Sequence, residues 1–408
     1  MKKILILGGG FGGIYTTKYL LKYFKNNLNI EIILVNENNY FLFTPLLTEV
    51  ATGGVSLRNV TEPIREVFNK FKNFKFIHSQ VLEINLNQNE VILECGRVNY
   101  DYLIIALGSK TNFYNISGAE KYSFTLKTIS DAMRLKKHFI NLFEKASFQT
   151  NQIDEFLRFV IVGGGPTGVE LALEMKDLFC NTFSKLYSKE LIDKIEIIII
   201  EKNNDLVSNF NPKLRQKILN YILTKNIKVI FNQAVKEINE NYLILENGSK
   251  INTNTVIWTA GIKPNLPKIL GNIEYEKERI KVNEFLQVKN YKNVFAIGDC
   301  AYIIDKNGVV PQLAQSAVAE AQNTSLNIYN LINNKNLKQF EFQPSGYLIS
   351  LGRFNATLQI KNFIISGFWI WILWKMVYLS KMISIQNKIK TFIDWLVDLF
   401  FPRNSSEI

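Results

Sequence analysis

Gly8-Gly-Gly10-Phe-Gly12-Gly13 follows the apolar run Lys3-Ile-Leu-Ile-Leu7, and Gly163-Gly-Gly165-Pro166-Thr167-Gly168 follows Arg158-Phe-Val-Ile-Val162. Each is a strand running into a glycine-rich turn and then a helix. The first glycine permits a tight strand-to-helix turn, the second lets the backbone approach a pyrophosphate, and the third lets the helix pack closely on the strand. The phosphates then meet N–H groups at a helix N-terminus, where the macrodipole favours negative charge. Pro166 suits a first helical turn, because the donor it lacks would find no partner there.

One such loop is weak evidence, but here the surroundings repeat as well. A second apolar stretch follows each loop, residues 30–35 leading to Asn36 and Glu37, and residues 195–200 leading to Glu201. Asn73-Phe-Lys-Phe-Ile-His-Ser-Gln80 parallels Asn226-Ile-Lys-Val-Ile-Phe-Asn-Gln233, and a hairpin-like pair of strands is expected after each. Tyr102-Leu-Ile-Ile-Ala106-Leu-Gly108 then parallels Thr255-Val-Ile-Trp-Thr-Ala260-Gly261. Gly163 follows Gly8 by 155 residues and Gly261 follows Gly108 by 153, a near-constant offset that marks an internal duplication. Two copies of a nucleotide-binding unit are therefore expected. A residue at the end of the second strand can bind adjacent ribose hydroxyls. At the first copy either Asn36 or Glu37 can do so. At the second, Glu201 would repel a 2′-phosphate, which favours NADH over NADPH.

At 408 residues with 47% hydrophobic content, the chain has room for two or three domains. Three scattered cysteines (Cys95, Cys180, Cys300) make neither a disulfide framework nor a metal site, and two histidines leave no basis for a His-ligated centre, so no metal is expected. A net charge of +12 suits an anionic partner. No helix carries the Lys/Arg stripe with interleaved aromatics that nucleic acid binding requires. The glycines stand where a signal-peptide cleavage region would be, so a cleaved leader is not expected.

The order of two glycine loops followed by Phe295-Ala-Ile-Gly-Asp299-Cys-Ala301 resembles the two-dinucleotide-binding-domain flavoproteins. More narrowly, the chain resembles type II NADH:quinone oxidoreductases. Matching pieces are Tyr40-Phe-Leu-Phe-Thr44-Pro45-Leu-Leu47, Ala51-Thr-Gly53, Leu126-Lys-Thr128, Val162 through Glu170, Trp258-Thr-Ala-Gly261, and the tail from Gly367 to Trp395. The resemblance implies FAD on the first loop (Gly8, Gly10, Gly12, Gly13, with Asn36 or Glu37, Thr44, Pro45, Ala106 and Gly108), and Asp299 on the ribityl chain. It implies NADH on the second loop (Gly163, Gly165, Pro166, Thr167, Gly168, with Glu201, Ala260 and Gly261). Glu170 is implied near the flavin–nicotinamide interface, where a carboxyl relays a proton to quinone. Gln315 is implied as a donor to a quinone carbonyl. The family's Ala-Gln-x-Ala-x-Gln reads here Ala314-Gln315-Ser-Ala317-Val-Ala319, with Gln322 on the same helical side as Gln315. No Cys-x4-Cys follows the first ribose residue, so a dithiol relay is excluded.

The uncharged run between Lys361 and Lys375 has thirteen residues, short of the about twenty that span a bilayer. It is expected to form a first apolar helix, which can pack on the core while a second helix meets lipid. Farther on, Ile389, Phe392, Ile393, Leu396 and Phe400 share one helical side, while Asn387, Thr391, Asp394 and Asp398 share another. Seven Lys/Arg against two Asp/Glu from Arg353 to Arg403, together with clustered Trp, suit helices lying in the headgroup plane of an anionic lipid surface.

The fold class expected is α/β, with two Rossmann-like dinucleotide-binding domains, one inserted in the other, and a short C-terminal amphipathic membrane-binding region. The FAD domain would comprise 1–112 and 265–345, the NADH domain 113–264, and the membrane region 346–408. The expected reaction passes hydride from NADH to FAD and two electrons on to a membrane quinone, without proton pumping. The expected location is the cytoplasmic face of the cell membrane, peripherally attached, with a homodimer among the expected assemblies. Rival readings are a reductase serving a soluble protein acceptor and an NADH-sensing flavoprotein.

Overall fold

The structure, a computed structural model, describes residues 1–25, 27–148, 153–404 and 406, so Ser405, Glu407 and Ile408 of the expected membrane region lie outside the described residues. The chain forms two compact units, one of residues 1–41, 61–110 and 262–344, the other of 42–60, 111–261 and 345–408.

In the first unit β1 (Lys2–Leu7) leads through α1 (Phe11–Tyr23) to β2 (Ile30–Asn36), then to β3 (Phe74–His78) and β4 (Tyr102–Ile105). The sheet order is Val294–Ala296, β4, β1, β2, β3, and every pair is parallel. Ile4, Leu5, Ile6 and Leu7 are all fully buried, as a parallel strand covered on both faces requires. In the second unit β5 (Arg158–Val162) leads through α2 (Pro166–Asn181) to β6 (Glu196–Ile200), β7 (Lys228–Ile230) and β8 (Thr255–Trp258). Its sheet runs Ser123–Phe124, β8, β5, β6, β7, again parallel throughout. Each unit inserts a three-stranded antiparallel meander before its fourth strand, Val81–Asn85 through Gly96–Asn99 in one and Val235–Ile238 through Lys250–Asn252 in the other.

The two sheets match strand for strand except at one edge. The outer strand beside β4 comes from Val294–Ala296, after the whole second sheet. The one beside β8 comes from Ser123–Phe124, before the second glycine loop.

A long helix, α3 (Ala314–Ile332), lies against α1 in the first unit, where the Ser325 hydroxyl donates to the Thr16 carbonyl at 3.3 Å. The C-terminal part of the second unit is an antiparallel sheet, Tyr347–Ser350, Ala356–Ile360 and Phe363–Gly367, followed by α4 (Phe368–Lys381) and α5 (Ile385–Phe400). The apolar run expected to begin a helix at Phe363 therefore divides. Pairing with Ala356–Ile360 claims its first five residues as a strand, and Gly367 at φ +125° turns the chain into α4. Among the described residues no helix is long and apolar enough to cross a membrane.

Candidate functional site

Both glycine loops emerge at the carboxyl ends of their sheets with the same geometry. Gly8 donates its N–H to the Val35 carbonyl at 2.8 Å, and Gly163 donates to the Ile200 carbonyl at 2.9 Å. These glycines have φ +102° and +108°, values that side chains rarely adopt. A Cβ on Gly13 would lie 1.8 Å from the Gly8 carbonyl oxygen, and one on Gly168 would lie 2.1 Å from that of Gly163. Only glycine lets each helix start this close to its strand. A Cβ on Gly10 or Gly165 would meet nothing, so the helix N-termini of α1 and α2 face open space at the position where a pyrophosphate approaches. The residues present fit dinucleotides at both loops.

The strand-end residues close these loops. The Asn36 side-chain oxygen accepts the Gly9 N–H at 2.7 Å, and its amide donates to the Asn38 carbonyl at 2.8 Å. Glu37 is exposed, and its carbonyl pairs with the His78 ring. Of the two candidates left open by the sequence, Asn36 is thus the one that lies against the first loop. In the second unit one oxygen of Glu201 accepts the Gly164 N–H at 2.8 Å. The other accepts the main-chain and side-chain N–H groups of Asn203 at 2.9 and 2.7 Å.

Around the first loop, Gly8 lies against the Ala106 backbone, and Gly108 has φ +68° with open space beside it. Asp299 stands in the single helical turn Gly298–Cys300, and its carboxylate accepts the Ser109 hydroxyl at 2.5 Å. Around the second loop, Gly163 lies against Ala260, and the Tyr114 ring packs on Gly261. Trp258 is buried and donates its ring N–H to the Ala260 carbonyl at 2.7 Å. Pro166 and Thr167 open α2 and are exposed. Thr44 and Pro45 form a short turn that groups with the second unit rather than with the first loop.

Glu170 is half-buried in the first turns of α2, and its carboxylate accepts the Ser350 N–H at 3.1 Å. Burial pushes this carboxyl up to about 8; the Ser350 bond opposes the shift, and the nearby Glu174 and Glu49 add to it. Gln315 lies in the first turn of α3 in the other unit and is half-buried, as is Ala319, while Gln322 is exposed.

A pyridine nucleotide-disulphide oxidoreductase family model matches residues 2–321, and an NDH2 C-terminal domain model matches residues 345–404. A probable NADH dehydrogenase of Dictyostelium discoideum is 34% identical over 99% of this chain and 91% of its own length. A type II NADH:quinone oxidoreductase of Haemophilus influenzae is 30% identical over 89% of this chain and 88% of its own. The NDH2 of Plasmodium falciparum, solved in complex with NADH, superposes at TM-score 0.90 with 25% identity, over 99% of each chain. This chain belongs to the type II NADH dehydrogenases. Its activity class is NADH:quinone oxidoreductase, and its cofactors are NADH and FAD.

Although the superfamily's name refers to a disulphide, the three cysteines of this type II dehydrogenase are free. Cys300 is buried with its thiol directed at the Ile297 carbonyl, and burial pushes it up to about 12, so it stays a protonated packing residue. Cys180 lies at the far end of α2.

The tail differs most from expectation. The clustered Trp residues were expected at a lipid interface, yet Trp371, Trp374 and Trp395 are buried and only Trp369 is exposed. The buried rings surround Lys375, whose ammonium lies 4.5, 5.7 and 4.1 Å from their centres. Trp395 donates its ring N–H to Glu49 at 2.6 Å, and Lys375 lies 3.9 Å from the same carboxylate. Beside them Arg403 bonds Glu174 at 2.7 Å, Asp398 at 3.2 Å and the Thr52 hydroxyl at 2.9 Å. Part of the basic excess of the tail is thus internal counter-charge. The polar side of α5 faces inward with it: Asn387 and Thr391 are buried, and Asp394 accepts from the Ser56 N–H at 2.8 Å and the Asn59 amide at 2.7 Å. The apolar side (Ile389, Phe392, Ile393, Leu396, Val397 and Phe400) is exposed.

Sequence reasoning missed Glu49, Glu174, Asn203, Ser109 and Glu320. Glu320 alone had a readable signal, since it interrupts the small-residue stripe Ser316, Ala317, Ala321, Thr324 and Ser325 that helical spacing directs inward.

Proposed function

We propose that the first loop, within a domain of residues 1–112 and 265–345, holds FAD, and that the second, within residues 113–264, holds NADH. Bound FAD would supply the redox chemistry that links hydride from NADH to the two-electron reduction of a membrane quinone. Asn36 and Asp299 would hold the adenosine ribose and the ribityl chain, and Glu201 the ribose of NADH. Glu170 would hold a proton at its carboxyl near neutral pH and release it toward the quinone, while Gln315 would donate to a quinone carbonyl. The open helix N-termini at both glycine loops carry this reading. Residues 346–408 would attach the enzyme to one lipid leaflet, at the cytoplasmic face, by the outward apolar side of α5, with no protons pumped.

Anaerobic stopped-flow tests the redox sequence. Rapid bleaching of the flavin by NADH and rapid recovery on adding a short-chain quinone are expected. Bleaching without recovery would overturn the quinone assignment.

A further inference from the structure

Glu320 lies in the middle of α3 and is 2% exposed. Its carboxylate accepts the Gly298 N–H at 2.6 Å. Gly298 has φ +72° and opens the turn Gly298–Cys300, whose central residue is Asp299. That turn is tied at two further points. The Ser109 hydroxyl donates to the Asp299 carboxylate at 2.5 Å, and the Gln312 side chain donates to the Asp299 carbonyl at 2.9 Å.

The buried carboxyl of Glu320 is thereby held near the half-buried carboxylate of Asp299, an arrangement that repulsion and lost hydration both oppose. The positive charge facing both is Arg279, itself buried, with its guanidinium 4.7 Å from the Tyr302 ring centre and donating to the Ala301 carbonyl at 3.4 Å. The half-buried Gly298 N–H could have been satisfied by a neutral acceptor at lower cost. A carboxyl, which burial pushes up to about 7, instead joins the helix that carries Gln315 to the turn that carries Asp299.

We propose that Glu320 is a positioning residue for the flavin: by holding the Gly298 N–H it fixes the turn that aims Asp299 at the ribityl chain, with Arg279 as the counter-charge for both carboxyls. The proposal rests on the reading that FAD occupies the first loop. Either protonation form of Glu320 leaves an oxygen to accept from Gly298, so the hold does not depend on its charge.

The test is FAD titration of the full-length apoprotein, followed by flavin fluorescence and absorbance, with apoprotein Tm measured in parallel. Wild type, Glu320→Gln, Glu320→Asp and Glu320→Ala are compared. Gln keeps an acceptor at the same reach and is expected to bind FAD within about threefold of wild type. Asp is one methylene short of Gly298, and Ala has no acceptor. Both are expected to weaken FAD binding tenfold or more and to shift the flavin absorption band. If Ala does not fold, the folded Asp variant decides. Unchanged FAD affinity and spectrum in Asp or Ala, even with a lowered Tm, would overturn the proposal and leave Glu320 a structural residue. Failure of wild-type apoprotein to take up FAD would instead overturn the assignment of the first loop.

Discussion

The carboxylate of Glu201 accepts the Gly164 N–H at 2.8 Å, in the place where the neutral amide of Asn36 accepts that of Gly9 at 2.7 Å. The two nucleotide loops are therefore closed by side chains of different charge. Removing the charge in Glu201→Gln keeps an acceptor for Gly164 but no longer repels a 2′-phosphate. The expected result is a fall of about tenfold in the kcat/KM ratio of NADH over NADPH, equivalent to about 1.4 kcal/mol. Steady-state kinetics with both nucleotides measures it.

Glu170 gives a pH signature. Its carboxyl is raised by burial to about 8, well above the ordinary carboxylate value of 4.5. Between those values the folded protein holds a proton that the unfolded chain has released, so this residue makes folding less favourable as pH rises through the window. Glu170→Gln removes that dependence. The Tm of the variant relative to wild type should rise from pH 5 to pH 8, as thermal melts at both pH values would reveal.

Arg403 and Lys375 are the cations of a buried cluster. Burial opposes the charge of Arg403, but Glu174, Asp398 and Glu49 more than offset this and hold the guanidinium above its ordinary range. Arg403→Met leaves Glu174 and Asp398 without this partner. Removing one partner of a buried pair costs about 3–5 kcal/mol, so a clear fall in Tm is expected in calorimetry.

The outward face of α5 can be tested separately from its inward face. Phe392→Asp combined with Leu396→Asp changes exposed positions, so Tm should stay nearly constant while cosedimentation with anionic vesicles falls tenfold or more. Trp395→Ala should do the reverse, lowering Tm by emptying a buried site bonded to Glu49. Equal vesicle binding by the double Asp variant would remove α5 as the attachment surface.

The doubly wound sheets were legible in the sequence because a glycine loop has few structural alternatives. The 155-residue offset then carried the pattern from one loop to the other. Periodicity also separated the two sides of α5, but it did not say which side faces the protein. Apolar residues normally turn inward, and here Asn387 and Asp394 do so instead; for Asp394 the partners are Ser56 and Asn59, more than 300 residues away in sequence. The burial of Trp395 was not legible for the same reason: its ring N–H partner, Glu49, lies 346 residues away, and local spacing carries no record of it. Glu320 broke an inward small-residue stripe, but its role was not legible, because its partner, the Gly298 N–H, is a main-chain group that no residue type announces.

The one mismatch between the sheets governs the order in which they can be completed during synthesis. Domains emerge and fold from the N-terminus onward. All five strands of the second sheet lie between Ser123 and Trp258, so that sheet is complete in sequence while the first still lacks its edge. The first sheet begins at Lys2 but waits for Val294–Ala296, leaving the edge of β4 unpaired until the inserted half has been made. The half of the chain that starts second is thus the one whose sheet closes first, and a nascent chain halted between the two points would carry one finished sheet and one open edge.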